Sequence, residues 1–117
     1  MAPADRRLRR SERISRRAEI TQLMEGGRSW ECALFRVVWA PGQFAFDRLA
    51  VLVSRKMGSA VARNRMKRRV REVFRTNKAV APPYFDIAVI PRPPLTVPYR
   101  ELECQYAEWR NRHAKQP

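Results

Sequence analysis

The chain has 117 residues, and 44% of them are apolar, which suffices for the core of one small domain. It carries 25 lysines and arginines against 11 aspartates and glutamates, a formal net charge of +14. This clustered, arginine-rich excess favours a nucleic acid as partner, although charge alone also leaves an anionic membrane or an acidic protein open. No apolar run has the length of a membrane span, and no apolar segment accompanies the N-terminal arginines, so we expect neither a membrane helix nor a secretory signal.

The cysteines and the single histidine do not form the pattern of a catalytic or metal site. Cys32 and Cys104 are far apart, so we expect two buried thiols in a reducing cytoplasm, with a disulfide between them left open. His113 stands in a polar C-terminal segment, where we expect an exposed side chain rather than a catalytic base. No cluster pairs a nucleophile with a base or sets carboxylates at metal-ligand spacing. We therefore predict no catalytic residue and no metal ligand in this chain.

The N-terminal part of the sequence predicts an arm followed by a helix. Residues 1–13 are rich in arginine and have little to bury, which is typical of a mobile basic arm. Ser15 is the predicted N-cap of a short helix, whose apolar face consists of Ile20, Leu23 and Met24. Gly26 and Gly27 end that helix, and we expect one of them to adopt the left-handed C-cap conformation.

The middle of the chain predicts strands. Residues 33–39 are rich in β-branched and aromatic side chains, and Pro41 and Gly42 form a turn. Residues 47–54 contain a nearly continuous apolar run, which indicates a buried central strand. Residues 44–46 form either a short edge strand or the beginning of that same strand. Residues 85–90 form a further strand, because the prolines on both sides of it forbid a helix.

The last predicted element is a helix capped by Thr96, and it completes the expected fold. Its aromatic and apolar residues recur at spacings of three, four and three, on one face that packs against the sheet: Tyr99, Leu102, Tyr106 and Trp109. The fold class is α+β, a single small domain over residues 14–112 with a tail at 113–117. We expect a roughly four-stranded mixed sheet with helices packed on it, in the order α-β-β-β-α-β-α.

The most basic element is a predicted helix in the strand-helix-strand crossover. Gly58 permits a tight turn after the preceding strand, and Ser59 caps a helix that begins at Ala60. One face is apolar and consists of Ala62, Met66, Val70, Val73 and Phe74. The opposite face presents Asn64, Arg68, Arg71 and Arg75, flanked by Arg65 and Lys67, whereas Arg63 and Arg69 lie nearer the apolar face.

The charge of residues 54–75 indicates a polyanionic partner. Nine basic residues face one acidic residue, Glu72, which gives a net charge of +8. Like charges three and four residues apart destabilise a helix by a few tenths of a kcal/mol per pair, and phosphates relieve that repulsion. The residues do not decide between RNA and DNA, although no helix-turn-helix pairing precedes this helix and no heptad zipper follows it, which favours folded RNA.

Residues 54–72 resemble the signature of the bacterial ribonuclease P protein subunit. The glycine, the Arg-Asn-Arg triplet and the basic residues that follow all occur at the family's spacing: Gly58, Arg63-Asn64-Arg65, Lys67-Arg68 and Arg71-Glu72. The resemblance covers nearly the whole chain after the N-terminal arm, since residues 13–30, 85–92 and 99–102 also agree with the family.

The resemblance implies a binding role in a ribonucleoprotein enzyme rather than bond cleavage by this chain. In that family a catalytic RNA subunit, with Mg²⁺ bound mainly by the RNA and not by the protein, removes the 5′ leader of precursor tRNA. One protein accompanies each RNA. The implied contacts with the catalytic RNA are Arg63, Asn64, Arg65, Lys67, Arg68, Arg71 and Arg75. The implied leader-binding residues, in a cleft between the sheet and the first helix, are Ile20, Met24, Phe35, Ser54, Arg55 and Lys56.

One departure from the family concerns the first helix. The family often has aromatic residues at the positions of Ile20 and Met24, which are aliphatic here, and tyrosine at the position of Val38. Phe35 and Trp39 are the candidates to replace that stacking surface.

Two other classes of protein share the charge and size of this chain. One is a structural RNA-binding protein, such as a small ribosomal protein, and the other is a DNA-binding module. The motif of residues 54–72 favours the ribonuclease P subunit over both.

Overall fold

One mixed four-stranded sheet organises the chain. The computed structural model describes residues 8–93 and 95–113. The strands, in chain order, are β1 (Arg28–Glu31), β2 (Phe35–Pro41), β3 (Arg48–Val51) and β4 (Phe85–Pro91), and the helices are α1 (Arg17–Gly26), α2 (Ala60–Thr76) and α3 (Tyr99–His113). The spatial order is β1-β2-β4-β3, with β3 and β4 parallel and the other neighbours antiparallel. The predicted α+β class and the element order are confirmed, and α2 connects the two parallel strands.

Both faces of the sheet are covered, which gives two apolar cores. Successive side chains of β4 point to opposite faces of the sheet. Ile87 and Val89 belong to the larger core with α2 and α3, whereas Ala88 belongs to the smaller core with α1. All three side chains are at most 2% exposed. The sheet therefore holds α1 on one side and α2 on the other, and these two helices carry the predicted sites.

The basic helix α2 begins and packs as its sequence predicts. Gly58 has φ 131°, a left-handed value that favours glycine, and the Oγ of Ser59 accepts a hydrogen bond of 3.1 Å from the amide of Ala62. The apolar face is buried in the larger core through Met66, Val70, Val73 and Phe74. Asn64, Arg68 and Arg71 are thereby directed away from the sheet.

The strand β3 lies at an edge of the sheet, so the prediction of a central strand is wrong. Leu49 and Ala50 are buried because α2 covers one face of β3 and α1 covers the other. The outer edge is met by the segment before α1, where the amide of Ile14 donates to the carbonyl of Leu49 at 2.9 Å. Residues 43–46 form a loop rather than a strand, and β1 is the additional strand.

Three predicted helix ends differ in the structure. The helix α1 begins at Arg17 without a side-chain cap, so Ser15 is not its N-cap. Gly27 follows α1 in an extended conformation, and its glycine is needed for close packing, because a Cβ there would lie 2.5 Å from the carbonyl oxygen of Leu23. The helix α3 begins at Tyr99, three residues beyond the predicted cap Thr96.

The predicted arm is packed from Leu8 onward. Glu12 is 6% exposed and accepts hydrogen bonds from the amide of Arg9 at 2.8 Å and from the Nζ of Lys78 at 2.9 Å. Leu8 packs against the larger core. Residues 8–13 are therefore part of the folded domain, and the rest of the predicted arm lies outside the described residues.

The C-terminal histidine and the cysteines also depart from expectation. His113 is half-buried at the end of α3, with its ring centroid 5.8 Å from those of both Trp30 and Trp39. The remaining tail residues, 114–117, lie outside the described residues. Cys32 is half-buried and Cys104 is exposed, and both are free thiols, so the expectation of burial fails for Cys104. In the part of the chain that the structure describes, no helix is long and apolar enough to cross a membrane.

Candidate nucleic-acid interface

A basic groove runs along the solvent side of α2, and we call it the α2 groove. It encloses about 590 Å³ and is lined by Leu8, Arg13, Asn64, Lys67, Arg68, Arg71, Glu72 and Arg75. Five of the seven predicted RNA contacts therefore lie together. They share one side of α2 because they recur at spacings of three and four residues. Arg13 joins them from the segment before α1.

The electrostatics of the α2 groove favour an anionic ligand. Burial, together with the charge of Arg13, lowers the pKa of Arg71, which shows that these two cations repel each other across the groove. Glu72 is the one carboxylate among the lining residues, and it accepts from the Nε of Arg75 at 3.1 Å. That hydrogen bond lowers the pKa of Glu72 and raises the pKa of Arg75. Glu72 is thus paired with Arg75, and the half-buried Arg71 is repelled by Arg13.

The other two members of the predicted RNA-contact set lie outside the groove. The Arg-Asn-Arg triplet cannot face one side of a helix, because successive residues are about 100° apart. Arg65 is exposed on the flank beyond the groove. Arg63 precedes Val70 by seven residues and is half-buried near the apolar face, where its Nε has no hydrogen-bond partner among the described residues.

Arg69 has a structural contact rather than a free guanidinium. Its Nη1 donates to the carbonyl of Leu95 at 2.9 Å, and its Nη2 donates to the carbonyl of Val97. These hydrogen bonds tie α2 to the segment that leads into α3. Arg69 is therefore excluded from the interface even though it belongs to the basic run.

The predicted leader-binding residues of α1 lie on an aliphatic surface. Ile20 and Met24 are half-buried and pack on the smaller core, together with Leu52 and Ile90 of the sheet. Leu52 continues the line of β3, since its amide donates to the carbonyl of Val89 at 2.9 Å. The structure thus gathers apolar side chains from α1 and from two strands on one partly exposed surface, and we call it the α1 surface.

The polar members of the predicted leader site follow directly after Leu52 and Val53. Ser54, Arg55 and Lys56 are all exposed, and the last two belong to a short 3₁₀ turn that precedes α2. Their position between β3 and α2 puts two cations on the chain segment that connects the α1 surface with the α2 groove.

Phe35 does not belong to this site, and that prediction is wrong. It is 2% exposed and lies in the larger core on the opposite face of the sheet from α1. Trp39 shares that face and packs edge-on against Trp109, with ring centroids 5.5 Å apart. Val38, between them, faces α1 together with Ala40, and it is 1% exposed. The chain therefore has no aromatic replacement on β2 for the aliphatic residues of α1.

Two further features of this region have no signal in the sequence. Arg13 reaches the α2 groove because its segment bridges to β3, a contact that needs the tertiary fold. Arg48 joins α1 to the sheet, with its Nη2 2.6 Å from the Oε2 of Glu19 and 2.8 Å from the Oδ2 of Asp86. The hydrogen bonding that Arg48 donates to the carboxylate of Asp86 is the main cause that raises the pKa of Arg48. This network fixes α1 over the sheet and so positions the α1 surface.

Within residues 8–93 and 95–113, no group of three or more histidines, cysteines, aspartates and glutamates is arranged to hold a metal ion.

The fold and the α2 groove together define a small, basic α+β protein built to bind a polyanion. The sequence profile of the family described as Ribonuclease P matches residues 8–113. The chain belongs to this family and is a bacterial ribonuclease P protein subunit. The ribonuclease P protein component of Thermotoga maritima is 38% identical over 94 residues, covering 80% of each chain, and that of Petrotoga mobilis is 32% identical over 107 residues, covering 92% of this chain and 89% of the relative.

Solved structures agree with the sequence comparison. The ribonuclease P protein of Thermotoga maritima has a TM-score of 0.73 at 35% identity, covering 83% of this chain and 93% of the other. The Staphylococcus aureus ribonuclease P protein has a TM-score of 0.71 at 28% identity, covering 83% of this chain and 90% of the other.

Proposed function

We propose that this chain binds the catalytic RNA of ribonuclease P through the α2 groove and binds the 5′ leader of precursor tRNA on the α1 surface. It thereby assists the RNA-catalysed removal of the leader. One observation carries the proposal: five predicted RNA contacts and Arg13 line one groove, in which Glu72 is the one carboxylate.

The chemistry of the α2 groove suits a folded RNA backbone. Guanidinium groups bind phosphates through paired N–H donors, and such charge-assisted hydrogen bonds are stronger than neutral ones. Burial and, after it, the charge of Arg13 lower the pKa of Arg71, and a phosphate placed near both side chains would offset the repulsion between them. The amide of Asn64 adds both a donor and an acceptor for a sugar or a base edge. We expect the phosphates to supply most of the affinity.

The α1 surface suits a single strand that is held without aromatic stacking. Ile20 and Met24 offer apolar contact to bases and sugars, and Arg55 and Lys56 offer cations to the adjoining phosphates. Aliphatic contact of this kind lacks the 1–3 kcal/mol per base, roughly, that an aromatic platform provides. We therefore expect leader binding to depend strongly on salt and weakly on the identity of the bases.

In this proposal the RNA subunit carries out the catalysis and the protein binds RNA. Mg²⁺ bound by the RNA subunit would supply the Lewis acid and the activated water for phosphodiester hydrolysis. The described residues offer no ligand cluster that fits such an ion, so no step of the proposal passes through a metal on this chain. The protein acts by binding and orienting both RNAs, one protein for each catalytic RNA, in the cytoplasm.

The test of the proposal is a cleavage assay at low Mg²⁺. Precursor tRNA and catalytic RNA are mixed with the protein over a salt series, and we expect the protein to increase the rate of leader removal. The double variant Arg68→Ala/Arg71→Ala should lose most of this effect. The matched control is Arg112→Ala, an exposed arginine on α3 whose side chain is 66% exposed. Cleavage that the wild-type protein leaves unchanged at every salt concentration would contradict the proposal.

The leader contact has a test of its own. Lys56→Ala should weaken binding of the assembled ribonucleoprotein to precursor tRNA that carries a leader, and it should leave binding of mature tRNA unchanged. Equal losses for the two substrates would show that Lys56 does not contact the leader.

A further inference from the structure

A second groove lies beside α1, on the side away from the α1 surface. It encloses about 760 Å³, and its lining includes Arg13, Arg16, Gln22, Gln43, Phe44 and Phe46. Gln22 is two residues from both Ile20 and Met24, which is about 200° around the helix. The Phe44 groove, as we call it, is thus separate from the surface proposed for the leader.

An aromatic pair, the exposed Phe44 and the half-buried Phe46, forms one wall of the Phe44 groove. The rings of Phe44 and Phe46 are stacked, with centroids 5.3 Å apart and planes inclined by 17°. The guanidinium of Arg48 lies 4.9 Å from the centroid of Phe44, and this contact holds the ring in place. Phe44 nevertheless stays 47% exposed. A large apolar ring that is fixed in position and exposed to solvent is a ready surface for a planar ligand.

The charges in the Phe44 groove favour an anion beside that ring. Both carboxylates of the lining, Glu19 and Asp86, are bound by Arg48 at 2.6 Å and 2.8 Å. Arg13 and Arg16 are exposed, and neither forms an ion pair with another residue in the described part of the chain. A ligand that combines a flat aromatic group with an adjacent negative charge fits this arrangement, and a nucleotide has both.

The position of Arg13 connects this groove to the α2 groove. Arg13 is the residue that lines both. An RNA strand bound along α2 can therefore continue past Arg13 and put its next residues beside Phe44. This continuity favours RNA over an acidic peptide as the occupant, because the neighbouring site is already suited to phosphates.

We infer that the Phe44 groove binds an unpaired nucleotide of RNA, with its base against Phe44 and its phosphates at Arg13 and Arg16. Gln22 and Gln43 offer amide groups to the base edge. The inference rests on the proposed function, since it assumes that RNA occupies the α2 groove, and it adds a contact to a base outside the α1 surface.

The experiment compares binding of a single-stranded oligoribonucleotide with binding of an abasic chain of the same length. For the oligoribonucleotide we expect Phe44→Ala to raise Kd at least about fivefold, because base stacking on an aromatic side chain is worth roughly 1–3 kcal/mol. For the abasic chain the same variant should bind as tightly as wild type. Phe44→Tyr should restore the affinity. The matched control is Val80→Ala, an apolar residue that is 89% exposed and lies outside the groove.

A second variant keeps the test decisive if Phe44→Ala unfolds, which thermal unfolding would show. Arg16 is exposed, so Arg16→Ala should leave the fold intact. It should reduce the magnitude of the slope of log K for RNA binding against log salt by about 1. If the Phe44 and Arg16 variants that fold bind RNA like wild type while Arg68→Ala/Arg71→Ala binds weakly, the Phe44 groove is not an RNA site and the proposed function stands. If Arg68→Ala/Arg71→Ala also binds like wild type, the proposed function itself fails.

Discussion

The helices α2 and α3 pack on the same face of the sheet but carry very different charges. Each helix buries a stripe of large side chains in the larger core. The helix α2 has seven basic residues and one glutamate, whereas α3 has three arginines and three glutamates. On α3, Arg110 binds the buried Asp47, and Arg112 lies 3.6 Å from Glu108. On α2, Arg68 and Arg71 line the groove, and neither forms an ion pair with another residue of the described ranges.

The difference separates the part of the molecule that stabilises the fold from the part that binds a partner. An arginine whose carboxylate is supplied by the same chain contributes to folding, and its removal leaves a charge behind. An arginine that faces only other cations contributes to binding, because the anion that offsets it must come from another molecule. The comparison predicts that replacing the buried, ion-paired Arg110 of α3 lowers stability and leaves RNA affinity unchanged, whereas replacing Arg68 in the α2 groove lowers RNA affinity and leaves stability unchanged.

The largest expected effect comes from the buried face of α2. Val70→Asp would place a charge at a position that is 5% exposed, without a partner, and we expect loss of the folded state. Val61→Asp is the matched control on the same helix, since Val61 is 69% exposed, and it should change the free energy of unfolding by no more than about 0.5 kcal/mol. Circular dichroism during thermal unfolding measures both. A folded Val70→Asp variant would show that the two faces of α2 are wrongly assigned.

The next effect comes from the buried ion pair of α3. Arg110→Ala would leave the carboxylate of Asp47, whose side chain is 2% exposed, with the amide of Phe85 as its remaining hydrogen-bond donor among the described residues. We expect a loss of about 3 kcal/mol of unfolding free energy, measured by urea denaturation, and unchanged RNA affinity at temperatures where the variant is folded. Arg112→Ala should cost no more than about 0.5 kcal/mol, because that pair is exposed. Equal costs for the two variants would contradict this account of α3.

Replacing an arginine of the α2 groove is expected to weaken RNA binding and to leave the stability of the fold unchanged. Arg68→Ala should weaken binding to the catalytic RNA by about tenfold, since hydrogen bonds to charged groups are worth roughly 1.5–3 kcal/mol. Its free energy of unfolding should stay within about 0.5 kcal/mol of wild type, because Arg68 is exposed. Filter binding and urea denaturation on the same preparation separate the two quantities. A variant that loses stability and keeps its RNA affinity would reverse the comparison between the helices.

The smallest effect concerns the pH dependence of α3. Burial, assisted by the charge of Asp47, raises the pKa of Tyr106 above its ordinary value of about 10. Above that pH the unfolded chain loses this proton while the folded chain keeps it, so stability falls as pH rises, by at most about 1.4 kcal/mol per pH unit. Tyr106→Phe should remove this part of the fall between pH 9 and 11. Parallel stability curves for the two proteins would show that Tyr106 does not titrate on unfolding.

The sequence predicted α2 well because the determinants of that helix are local. The cap at Ser59, the turn at Gly58 and the apolar stripe through Val70 all lie within one short segment. The same local pattern placed Asn64, Arg68 and Arg71 on one side, where the structure has them.

The errors concern features that only the tertiary fold decides. The continuous apolar run at β3 indicates that both faces of the strand are buried. A covered edge strand has this pattern as much as a central strand does, so the run could not place β3 within the sheet. The face of Phe35 was hard to assign, because both Val37 and Val38 are buried and Arg36 is the single charged residue of β2 that marks the face opposite to Phe35. Arg13 lies in the α2 groove because its segment pairs with β3. This pairing is a long-range contact, so no local sequence pattern predicts it.

The most direct test of the central claim is the salt dependence of wild-type binding to the catalytic RNA. If the cations of the α2 groove and their neighbours contact about six phosphates, the slope of log K against log salt should be roughly −4 to −5. A slope near −1 would mean that the basic residues of α2 meet about one phosphate, and the account of the α2 groove as the RNA-binding site would be wrong.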